Sequence, residues 1–218
     1  MSCWILLIFA VQWITVLCTN CTFSNVPNCT ITNGEAECNT TSIPPTVQHL
    51  PACITKLAIH QSNHRESHFR DTHFCHLTNL EYLLVDGRNN DDFTYWKYYL
   101  GFPHFDGLEF LKVLIVRKQT NDHYDIEHFK VFKNLSYVDF SRTRLLNMTR
   151  FISIAPELSQ NPIQHLVLRN IQTLNANNDP YDSTVNLSDL LCPFGETLES
   201  VDLSFNDIVK LTFDWRKS

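Results

Sequence analysis

Leu198, Val201, Leu203, Asn206 and Ile208 stand at relative positions 1, 4, 6, 9 and 11 of the stretch LESVDLSFNDIVKL. This spacing limits what the chain can fold into more than any other feature. Positions 4 and 6 alternate onto one face of a short strand, and a polar side chain at position 9 can bond backbone groups that the following turn leaves unpaired. A single unit of this kind cannot bury its own apolar face, so it requires neighbours that stack on it.

Those neighbours lie upstream. Ile54, Leu57 and Ile59 repeat positions 1, 4 and 6, as do Leu80, Leu83 and Val85; Leu111, Leu114 and Val116; Leu135, Val138 and Phe140; and Ile163, Leu166 and Leu168. With the last unit they make six, whose first positions are 26, 31, 24, 28 and 35 residues apart. This is the leucine-rich-repeat pattern, with a period of about 20–29 residues, and the two long intervals carry insertions. Phe74, Phe105 and Phe129 each stand six residues before the next position 1. Position 9 is irregular: Ser62, Arg88, Gln119, Thr143 and Ile171 replace Asn. The expected fold is an α/β-type leucine-rich-repeat solenoid, a curved horseshoe with a parallel β-sheet on the concave face and irregular loops or short helices on the convex face.

Residues 1–18 carry no charge, are nearly all apolar and end in the small-residue pair Val16 and Cys18, as a secretory signal peptide does. An uncleaved anchor is the competing reading, kept open by the lack of a basic first segment. No later stretch is apolar enough to span a membrane, and the formal charge of −6 argues against nucleic acid as a default partner. Export places the remaining cysteines in an oxidising compartment. In CTITNGEAEC, Asn33-Gly34 is a favoured type I′ turn pair, and counting outward from it sets Cys29 opposite Cys38 as a bridge. The partners of Cys21, Cys53 and Cys75 stay open; Cys192, in the slot held elsewhere by Phe, reads as a buried free thiol. Residues 19–53, with Ile43-Pro44 and Leu50-Pro51 after the hairpin, resemble the N-terminal cap of extracellular leucine-rich-repeat proteins, and residues 54–218 hold the six repeats.

Asn20, Asn28, Asn39, Asn134, Asn147 and Asn186 begin N-x-S/T sequons, the mark of a glycoprotein in an exported chain. Asp91 to Phe105 is dense in Phe, Tyr and Trp and reads either as an interface or as a satellite core; Ile171 to Leu190 is polar and reads as an exposed loop. The run from His60 to His76 crosses a strand end, a turn and the next segment, so its histidines should diverge, and no metal or cofactor site is expected. No nucleophile–base motif or phosphate-binding glycine loop is present, so an enzyme is disfavoured. Positions 3, 5 and 7 alternate towards solvent. They supply the ligand-binding candidates Tyr82, Leu84, Val113, Ile115, Arg117, Tyr137, Asp139, His165 and Arg169, centred on an apolar patch of Leu84 beside Ile115.

The leader, the cysteine hairpin, the irregular units with their Phe spine and the phrase GETLESVDLSFNDI together resemble the N-terminal part of a Toll-like receptor ectodomain, over the whole chain after the leader. The resemblance implies innate immune recognition at the cell surface or in an endosomal lumen. It implies a microbial ligand or a protein coreceptor, and homo- or heterodimerisation through the repeat surface. The expected alternative is a secreted leucine-rich-repeat adhesion or decoy protein without a signalling domain. The sequence stops at Trp215-Arg216-Lys217-Ser218 without a second cysteine cap, so it is expected to continue as a longer receptor or to be a truncated product with an open, association-prone edge. Ten histidines would carry the charge across zero on acidification, so pH-sensitive binding is also expected.

Overall fold

The computed structural model describes residues 26–40, 47–61, 74–87, 105, 107–118, 129, 131–143, 148–171, 184–206, 208 and 210–214. The leader, Asn20, Cys21, Asn147, the aromatic run before Phe105, and His64, His68 and His73 lie outside them, as do Ser62, Arg88 and Gln119 at position 9.

The hairpin comes first. Strands β1 (Cys29–Thr32) and β2 (Glu35–Thr40) pair antiparallel in the expected register, with Cys29 opposite Cys38 and the two joined by a disulfide. Asn33 and Gly34 both take positive φ, 52° and 81°, as a type I′ turn requires. The turn also docks the next segment, because the Thr55 and Lys56 N–H groups both donate to the Gly34 carbonyl, at 2.8 and 3.3 Å.

Each sequence unit then adds one strand: β3 (Lys56–Gln61), β4 (Tyr82–Asp86), β5 (Val113–Arg117), β6 (Tyr137–Asp139) and β7 (His165–Val167). Helix α1 (Met148–Leu158) connects the last two and buries Phe151, Ile154, Ala155 and Leu158, the i, i+3, i+4, i+7 stripe of a one-sided helix. After it come β8 (Thr184–Asn186), α2 (Leu187–Leu191), a 3₁₀ helix (Cys192–Thr197), β9 (Ser200–Asp202) and β10 (Lys210–Thr212). The main sheet has eight strands in the order β1-β2-β3-β4-β5-β6-β7-β9, parallel throughout after the hairpin, and β8 pairs with β10 in a separate parallel ladder.

The same backbone joint recurs at every junction. The Thr55 carbonyl accepts the N–H groups of Glu81 and Tyr82, that of Glu81 those of Lys112 and Val113, that of Lys112 those of Ser136 and Tyr137, and so on to Gln164 with Glu199 and Ser200. Between the joints the core is continuous. Leu57, Leu83, Leu114, Val138 and Leu166, all at position 4, are buried, as are Ile59, Val85, Val116, Phe140 and Leu168 at position 6. The Phe spine lies behind them: the Phe74 and Phe105 rings stack at 6.0 Å, and Phe132 bridges Phe105 at 5.1 Å and Phe129 at 6.3 Å. Asn206 performs the turn role expected of position 9. Its Nδ2 donates to the carbonyls of Leu168 at 2.6 Å and Leu203 at 2.8 Å, and its Oδ1 accepts the Ile171 N–H at 2.7 Å. At the same position in an earlier unit the Thr143 hydroxyl donates to the Phe140 carbonyl.

Two expectations about these elements need correcting. Cys192 is a free thiol but only half-buried, because the 3₁₀ helix that starts there turns Phe194 into the core instead. Residues 184–190 are not loop: Val185, Ser188 and Leu190 are buried in β8 and α2, and the Ser188 hydroxyl accepts the Asp214 N–H at 2.7 Å and donates to its carbonyl at 3.1 Å. Apolar residues interleaved with Asn and Asp had hidden this short strand and capped turn. Of the cysteines whose pairing the sequence left open, Cys53 is disulfide-bonded and Cys75 is free.

Candidate ligand-binding face

Parallel pairing sets like positions of successive units side by side, so the outward side chains form rows across the strands. Position 3 gives Lys56, Tyr82, Val113, Tyr137, His165 and Ser200; position 5 gives Ala58, Leu84, Ile115, Asp139, Val167 and Asp202. Position 7 begins His60, Asp86, Arg117 and continues through Ser141, Arg169 and Ser204, whose carbonyls accept the N–H groups of Lys118, Arg142 and Asn170 in the preceding units. All nine candidate residues therefore share one face of the sheet.

Their exposure is uneven. Tyr82, Leu84, Val113, Arg117, Tyr137 and His165 are half-buried and Arg169 is exposed, but Ile115 is 7% exposed and Asp139 0%. The open apolar patch of Leu84 and Ile115 is thus not there. Rows of large side chains about 4.8 Å apart lean over the middle of a sheet, and position 5 is the middle row. The exposed part of the face is amphipathic instead, with Tyr137 and His165 rings 6.0 Å apart and His165 Nδ1 2.8 Å from the Ser200 hydroxyl.

Asp139 is buried because it works as a clamp. Arg117 donates from Nε to Asp139 Oδ2 at 2.8 Å and from Nη2 to the same oxygen, while Oδ1 accepts the Ser141 N–H at 2.8 Å. Two units on, the arrangement returns. Arg169 donates to Asp202 Oδ2 from Nε at 3.2 Å and from Nη2 at 2.5 Å, and Asp202 Oδ1 accepts the Ser204 N–H at 2.9 Å. Each guanidinium is held by one edge and keeps donors for a ligand. The bond to Asp139 raises the Arg117 pKa, and bonds from Ser204, then from Arg169, pull the Asp202 carboxyl down to about 2. Burial first, then the nearby Asp139 charge, raises the Tyr137 phenol and keeps it a neutral donor. Asp202 and Ser204 belong to the same outward positions 5 and 7, though not to the nine residues singled out from them. The signal was in the sequence, where Val138-Asp139-Phe140-Ser141 and Val201-Asp202-Leu203-Ser204 each follow a unit with Arg at position 7.

The rim beyond position 7 is left-handed. Lys118, Arg142, Asn170 and Phe205 at position 8 have φ of 54°, 58°, 52° and 60°, which turns the N–H of the first three onto the next unit's carbonyl. Lys118 also reaches Asp86 at 3.1 Å, and Phe205, 77% exposed, lies under the Arg169 guanidinium at 5.7 Å. Of the described sequons, Asn39 stands opposite His60 and so extends the position 7 row at the hairpin end of the face. Asn28 and Asn39 are exposed beside the hairpin disulfide, and Asn134 is exposed, with Nδ2 donating to the Glu109 carbonyl at 2.9 Å. Asn186 caps α2, its Oδ1 accepting the Ser188 N–H and its Nδ2 donating to Asp189. Among the described residues no group of His, Cys, Asp and Glu converges as a metal site would, and no helix is long and apolar enough to cross a membrane. No protein-family model matches the chain, and no curated protein sequence matches it.

Proposed function

We propose that the chain is a leucine-rich-repeat horseshoe and the extracellular recognition part of a Toll-like innate immune receptor. It binds a microbial ligand or a protein coreceptor on the face formed by positions 3, 5 and 7, contributes to dimerisation through the repeat surface, and carries out no catalysis. The reading rests on the resemblance of its units. The observation that carries the choice of face is the row of half-buried Tyr82, Val113, Tyr137 and His165 beside two carboxylate-held guanidiniums, Arg117 and Arg169. Aromatics with polar tips and pre-oriented arginines are the residue types that dominate recognition surfaces, because they offer area and directed bonds at low entropy cost.

The test is binding of the secreted chain to immobilised lipopolysaccharide, acylated lipopeptide and peptidoglycan fragments. One of these should be retained by the unaltered chain and lost by a Tyr82→Ala, His165→Ala variant that melts like the parent. Equal binding by the variant would move the site off this face. Binding to none of the three, with adhesion of cells to the immobilised chain, would favour the secreted adhesion protein.

A further inference from the structure

Two sequons flank the hairpin bridge: Asn28-Cys29-Thr30 contains one of its cysteines, and Asn39-Thr40-Thr41 begins immediately after the other. The two asparagines face one another across the last rung, where the Asn39 N–H donates to the Asn28 carbonyl at 2.8 Å, and both are exposed. We propose that Asn28 and Asn39 are mutually exclusive glycosylation acceptors whose use is ended by closure of the Cys29–Cys38 disulfide. The proposal rests on the reading of the chain as exported.

The chemistry needs a free strand. An Asn Nδ2 loses a proton and bonds to the anomeric carbon of an oligosaccharide carried on a lipid pyrophosphate, which leaves with the electrons of the broken C–O bond. The transferase must draw the sequon into its own cleft, and here the first sequon is tied down: Asn28 has φ of 62°, Cys29 donates its N–H to the Val26 carbonyl at 3.1 Å, and Thr30 pairs with Glu37. A lone two-stranded hairpin is marginal in water and reopens, so before oxidation both sequons are intermittently available. Oxidation removes that freedom. The two thiols give two electrons and two protons to a disulfide-carrying oxidant, and the strands can no longer part. Hairpin formation takes about 1–10 μs and disulfide formation seconds to hours, so the oxidation step sets the window for the transferase. Facing residues on a hydrogen-bonded rung are about 5.5 Å apart, which leaves a bulky glycan on one Asn covering the other.

The sequence allows a direct reading. No Lys or Arg occurs before Lys56, so trypsin leaves both asparagines on one peptide. The full chain is expressed in a glycosylating secretory cell, harvested from lumen and medium, and digested. Enzymatic deglycosylation in heavy-oxygen water then marks each used Asn for mass spectrometry. The unaltered chain should carry the mark on Asn28 or Asn39 but rarely on both. Cys38→Ser, which leaves both sequons intact, should raise the doubly marked fraction several-fold, and so should dithiothreitol added during synthesis of the unaltered chain. Material from the lumen reports the result even for a variant that is not exported. Double marking of most unaltered molecules, or no rise with either Cys38→Ser or reductant, overturns the proposal. In that case sugar at Asn134 or Asn147 leaves export standing, whereas sugar at no sequon removes both readings.

Discussion

Gly107 shows how tightly one unit sits on the next. Its φ is 89°, and a Cβ there would lie 2.8 Å from the Cys75 carbonyl oxygen, so Gly107→Ala adds both a backbone strain and a clash with main chain. The expected loss is about 1–3 kcal/mol in denaturant unfolding. Phe205 is the opposite case, since a bulky residue in a left-handed conformation costs about 1–2 kcal/mol and an exposed cation–π contact returns only about 0.5–1. Phe205→Asn should therefore raise the melting temperature slightly. Asp202 provides a pH test. Its carboxyl lies at about 2 in the fold against an ordinary 3.8. A lowered folded pKa gives stability that is present above the ordinary value and disappears as pH falls through the lowered one. The stability advantage of the parent over Asp202→Asn should thus be full at neutral pH and decline between about pH 4 and pH 2, as melting curves across that range would register.

At the scale of elements, the closing ladder of β8 with β10 depends on the Ser188 hydroxyl, which serves both the N–H and the carbonyl of Asp214. Ser188→Ala should leave the main sheet intact and speed amide exchange at residues 210–214, measured by deuterium uptake. Position 4 and 6 periodicity made each main-sheet strand legible, because burying one side of a strand fixes its register. The hairpin register was legible from Asn33-Gly34 alone, because the turn type fixes the count. What could not be read was anything set by neighbours not adjacent in sequence. The burial of Ile115 and Asp139 depends on which side chains lean over them from flanking strands, and Asp139 needs an arginine 22 residues away to be tolerated inside. The 3₁₀ helix that replaces Cys192 by Phe194 in the core is a local choice of backbone that the six-residue spacing of the earlier Phe residues concealed.

At the scale of the whole molecule, each main-sheet strand is bonded only to those before and after it, and the Phe spine runs past several of them. Removing one ring, as in Phe105→Ala, should cost about 3–5 kcal/mol and loosen the units on both sides together. The single-file order also decides how the molecule would respond to pulling. Tension from the hairpin towards β9 acts along the interstrand hydrogen bonds, so it opens ladders one after another instead of shearing many at once. Extension should then proceed in a sawtooth of low, similar forces, with each step releasing one unit. With units 24 to 35 residues apart, and about 3.5 Å of contour per residue, the steps should measure about 85–120 Å in an optical trap. The hairpin bridge would withhold the loop between Cys29 and Cys38 from that length until a reductant is added.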